Sequence, residues 1–76
     1  MHDFITKLKY YIDAFDNEEI SPLTDYTQLP DWDSVALLSL VSMLLSEYGV
    51  LLTSSEILKA KTFEKLFEIV KSKENN

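Results

Sequence analysis

The chain has 76 residues, no cysteine, 46% hydrophobic residues and a formal net charge of −6. That length bounds one small domain with one core, and the apolar content is that of a folded chain. The absence of cysteine excludes disulfides, a thiol nucleophile and a cysteine zinc site and fits a reducing compartment, while the acidic balance argues against nucleic acid, where basic residues must neutralise phosphates.

No stretch reaches the roughly 18 apolar residues that a membrane span needs. An N-terminus with the acidic Asp3 does not read as a signal peptide, so a cytoplasmic monomer is the expectation. Between Lys9 and Lys59 there is no basic residue but there are nine acids. A field of one sign attracts partners of the other, which points to basic patches on whatever this chain docks against.

In chain order, Phe4, Ile5, Leu8, Tyr11, Ile12 and Phe15 recur at three- and four-residue steps. The spacing predicts one helix over about 3–16 with these residues as its core stripe and Asp3 as N-cap. His2, the only histidine, reads as a solvated terminal residue. Asn17 to Asp33 is a long connection holding both prolines, with Leu23, Tyr26 and Leu29 expected to pin it to the core and Trp32 expected to be a packing anchor.

Pro30 bars a helix through the approach, and Asp33 and Ser34 are residues whose short oxygens cap a helix start. From Val35 to Tyr48 there is no breaker, which predicts a helix over about 34–48. Ala36, Leu37, Leu40, Val41, Leu44 and Tyr48 form its core face, leaving Val35, Leu38, Ser39, Ser42, Leu45 and Ser46 outside with Glu47 as the helix's only charge. An uncharged outer face on a surface helix suggests contact with something. Gly49, the only glycine, stands where a left-handed C-cap belongs. Thr53-Ser54-Ser55-Glu56 is a capping box for a short helix over about 54–59. Thr62 caps a last helix over about 62–72 that turns Phe63, Leu66, Phe67 and Val70 inward, and Lys71 to Asn76 is expected to fray. The fold class is therefore all-α, a small four-helix bundle with a long first loop, and nothing reads as strand.

An enzyme is not expected from this inventory. One terminal histidine and no cysteine leave no base near a nucleophile, one glycine cannot make a phosphate loop, and Asp31-Trp32-Asp33-Ser34 lacks the glycine and terminal glutamate of a calcium loop.

Leu29-Pro30-Asp31-Trp32-Asp33-Ser34-Val35, followed by a hydrophobic helix, resembles the acyl carrier proteins, which hold 4′-phosphopantetheine on the serine of an Asp-Ser-Leu motif. The stretch Leu29 to Val50 looks most like small stand-alone carriers that read Leu-Pro-(acid)-Trp-Asp-Ser-Leu here. The resemblance covers almost the whole chain and implies the acyl-carrier helical plan, with a single domain over 1–76. It implies attachment of the arm to Ser34 and a docking surface on the following helix made of Asp33, Val35, Leu38, Ser39, Ser42, Leu45 and Glu47. Asp33 would help a phosphopantetheinyl transferase bind, through the divalent ion of that reaction. Further partners would be an acyl- or aminoacyl-activating ligase and an acyltransferase or synthase. Fatty-acid synthase carriers present several acids along this helix, where this chain has Ser39, Leu45 and Ser46, and Val35 replaces the usual Leu or Met. Those departures favour a dedicated carrier with few partners. An aminoacyl or peptidyl carrier of non-ribosomal synthesis and a cofactor-free acidic interaction module are the alternatives.

Overall fold

Five α-helices follow one another along the chain: α1 (His2–Tyr11), α2 (Asp13–Asp16), α3 (Ser34–Tyr48), α4 (Ser54–Ala60) and α5 (Phe63–Glu74). The computed structural model describes residues 2–16 and 18–74, and over these residues the bundle is all-α, with one isolated bridge between Asp25 and Thr62 in place of any sheet. α1 packs on α2 and α3, α3 on α4 and α5, and α4 on α5. Among the described residues no helix is long and apolar enough to cross a membrane.

The core collects the apolar stripe of each helix. Phe4, Leu8, Ile12 and Phe15 come from α1, α2 and the residue between them, Leu40 and Leu44 from α3, Ile57 from α4, and Phe63, Leu66 and Val70 from α5. Each large side chain contributes about 1.5–3 kcal/mol of transfer free energy, mostly offset by the entropy of ordering the chain. Helix ends are set by local chemistry. Asp33, Thr53 and Thr62 accept from the backbone N–H groups of Ala36, Glu56 and Lys65 at 2.8, 3.1 and 3.3 Å. Glu56 completes the capping box by accepting from the Thr53 N–H at 2.9 Å, which holds its carboxyl below the usual glutamate range. Gly49 closes α3 in the left-handed region at φ 67°.

Within the helices the sequence pattern and the structure part at four places. The first helix is not continuous: the Ile12 N–H keeps its helical bond to the Leu8 carbonyl at 3.0 Å, and the ladder tightens just after it. The Phe15 N–H bonds the Ile12 carbonyl at 3.0 Å, three residues back, and this tighter turn keeps both side chains buried. α1 starts at His2, so Asp3 lies in its first turn, near the positive end of the helix dipole, rather than at the cap. Tyr11 is outside the core, since a buried phenol needs a polar partner and this one takes Glu47 at the surface, 3.1 Å away. α5 is helical through Glu74 instead of fraying from Lys71, held by ion pairs Lys71–Glu74 and Lys73–Glu56, each at 3.3 Å. Asn75 and Asn76 lie outside the described residues, as does Asn17.

The long connection is built rather than loose. Tyr26, in a single 3-10 turn (Tyr26–Gln28), is fully buried, donates its hydroxyl to the Ile57 carbonyl and its N–H to the Lys61 carbonyl at 3.0 Å. The Pro22 carbonyl accepts from the Glu64 N–H at 2.8 Å. Leu29 packs on the core, but Leu23 is exposed: the backbone bond at Pro22 secures this stretch without it.

Candidate functional site at the start of the third helix

Ser34 is the first residue of α3 and is exposed. Two neighbours fix its position. Trp32 is half-buried, parallel to the Phe15 ring at 6.2 Å between centroids and 5.2 Å from Tyr26, so the chain enters the helix from a packed anchor. Asp33 is extended, with φ −154° and ψ −173°. Its Oδ1 accepts from the Ala36 N–H at 2.8 Å while its carbonyl accepts from Leu37 at 3.0 Å. A serine so held presents its hydroxyl at the positive end of a 15-residue helix, an electrostatic setting that suits a covalently attached anion by about 0.3–1 kcal/mol at an exposed position.

Along α3 from this point runs the uncharged stripe. Val35, Leu38 and Leu45 are 67%, 64% and 50% exposed, an unusual load of aliphatic surface for one helix. Ser42 and Ser46 are exposed beside them, and Ser39 is half-buried on the flank facing α1. Glu47 stands apart from the other docking candidates. It is half-buried and engaged by α1, accepting from the Tyr11 hydroxyl and sitting 3.8 Å from Lys7 Nζ. That hydrogen bond, with the carboxylate's charge, holds the Tyr11 phenol above the usual tyrosine range.

Between α1 and α3 the surface is grooved. A cavity of about 280 Å³ at the helix start is lined by Asp13, Asp31 and Asp33 together with Tyr11, Val35 and Ser39. These last three residues also line a second cavity, of about 440 Å³, that continues along α3 past Ser42 and Met43 to Ser46 and Glu47. The two cavities therefore share a wall and form one trough. Sequence periodicity placed Ser34, Asp33 and the aliphatic stripe together on α3, as found. It missed Tyr11 and Met43 as trough residues. The phenol of Tyr11, amphipathic and opposite the one acid of α3, was the available signal.

No family model, curated protein or solved structure matches the chain significantly.

Proposed function

We propose that this chain is an acyl carrier protein that takes a 4′-phosphopantetheine arm on Ser34 and delivers an acyl thioester to the enzymes of a dedicated biosynthetic pathway. The observation that carries the reading is Ser34 itself, an exposed hydroxyl on the first residue of α3, between an Asp33 cap and an uncharged helix face. The donor set fits the group: a phosphodiester needs one accessible alcohol oxygen and tolerates no buried acid around it, and both Ser34 and Asp33 are open to solvent. When bound, the arm supplies a terminal thiol that holds the cargo as a thioester. The protein's own residues position and present it. Asp33 orders the first turn, Trp32 fixes its approach, and Val35, Leu38 and Leu45 give partner enzymes an apolar contact. Tethering raises the cargo's effective concentration at each docked enzyme, which is the physical reason to carry it on a protein.

The test is intact mass before and after incubation with coenzyme A and a broad-specificity phosphopantetheinyl transferase, with Ser34→Ala alongside. A gain of one phosphopantetheine on the wild-type chain alone is expected. The loaded protein can then be offered to acyl- and aminoacyl-activating ligases, which separates an acyl from an aminoacyl or peptidyl carrier. A folded wild-type chain that several transferases leave unmodified overturns the proposal and favours a cofactor-free interaction module.

A further inference from the structure

We infer that the trough between α1 and α3 is the resting seat of the prosthetic arm, which lies along the outside of α3 rather than threading into the bundle. The inference rests on the carrier reading of Ser34. Continuity is its first support: Asp33 and Val35, the residues on either side of Ser34, both line the cavity at the helix start. Val35, Ser39 and Tyr11 carry that cavity over into the longer one, which ends near Glu47. Ser34 itself lines neither cavity, so an arm leaving it enters the trough past Asp33 and Val35 and then runs along the helix.

The lining also matches the arm's chemistry. Pantetheine alternates secondary amides with short alkyl segments and a geminal dimethyl group. Ser39, Ser42 and Ser46, three or four residues apart, fall on one helix face and supply hydroxyls that can donate to or accept from amides. Val35 and Leu38 supply exposed apolar surface beside them, Met43 lies buried at the floor, and the Tyr11 ring forms the α1 wall. A purely aliphatic groove would suit a bare acyl chain better; alternating hydroxyl and alkyl surface suits the amide-bearing arm.

The interior offers less room. Leu40, Leu44, Ile57, Leu66 and Val70, from α3, α4 and α5, each have 0% exposure. Admitting a chain among them means separating packed side chains, whereas the trough is already open.

The experiment compares isotope-labelled apo and holo protein by NMR, with conversion verified by intact mass. Expected are amide shift changes that run from Ser34 through Ser39 and Ser42 to Ser46, and cross-relaxation between the arm's geminal methyls and the methyls of Val35 and Met43. Shift changes confined to the residues next to Ser34, or contacts from the arm to Ile57 or Leu66, overturn the trough and leave the carrier reading standing. A folded protein that gains no mass overturns both.

Discussion

The backbone N–H of Tyr26 donates to the carbonyl oxygen of Lys61 at 3.0 Å, joining the loop that precedes Ser34 to the turn between α4 and α5. The turn is strained. Lys61 sits at φ 66° and ψ −51°, and across it the Thr62 N–H bonds the Ala60 carbonyl at 2.7 Å, forming a γ-turn of the hand that side chains disfavour.

Such a conformation costs a residue with a Cβ on the order of 1–3 kcal/mol. Lys61→Gly removes that strain and adds freedom to the unfolded chain, which returns roughly 0.5–1 kcal/mol. The expected net is a gain of about 1 kcal/mol, or about 4–8 °C in melting temperature for a domain of this size. Urea unfolding reads it directly: the midpoint should rise with the slope unchanged. A lower midpoint would show that the turn is not strained.

Tyr26 is the other half of the same joint. Its hydroxyl bonds the Ile57 carbonyl, one of the last four of α4, which the helix itself cannot satisfy. Tyr26→Phe leaves that carbonyl buried without its donor, and the expected loss is about 1–3 kcal/mol near neutral pH. Burial holds the Tyr26 phenol well above the usual tyrosine range. The folded state therefore keeps a proton that the unfolded state releases near pH 10.0. This contribution is complete below that pH and is lost as pH rises toward the folded-state value. Wild-type stability should fall in alkali above about pH 10, and the gap to Tyr26→Phe should narrow over the same interval. Chemical denaturation at pH 8 and at pH 10.5 measures both. A constant gap would remove Tyr26 from the alkaline transition.

Much of this architecture was legible in the sequence because it is decided within a few residues. The Asp33 cap, the Thr53–Glu56 box and the Gly49 stop each depend on one side chain and one turn of backbone, and each is where the pattern put it. What was not legible depends on partners distant in the chain. Leu23 looked like an anchor by its hydrophobicity, but a loop has no periodic face, and the Pro22–Glu64 backbone bond holds this segment instead. Tyr11 fits the apolar stripe of α1 by spacing, and only Glu47, 36 residues away, gives its hydroxyl a reason to turn out. At the end of α5, Lys73 likewise meets Glu56 of α4, a contact that the local pattern of α5 does not contain. Position and exposure of Ser34 were readable; the trough beside it was not, since its walls belong to two helices.

Gly49 separates backbone preference from packing. A Cβ built there meets nothing within 4 Å, so any cost of a side chain comes from φ 67° alone. Gly49→Ala is expected to lose about 1 kcal/mol of stability. Gly49→Asn should lose less, because asparagine enters the left-handed region more readily. Thermal unfolding of the two variants orders them. Equal losses would point to the chain leaving the helix differently, for example by giving up the bond from the Gly49 N–H to Leu45, 3.0 Å in this structure.

Asp33 has two roles that one pair of substitutions can pull apart. As N-cap it accepts from the Ala36 N–H, and under the carrier reading its charge also assists the transferase that modifies Ser34. Asparagine caps as well as aspartate, so Asp33→Asn should keep stability within a few tenths of a kcal/mol. Asp33→Ala, which cannot accept the bond, should lose about 1 kcal/mol. Modification is expected to respond to charge rather than to the cap, falling by a similar factor in both variants when followed by intact mass over time. If Asp33→Asn is modified at the wild-type rate while Asp33→Ala is slow, the residue acts only by ordering the first turn of α3. The negative charge beside Ser34 would then have no part in recognition.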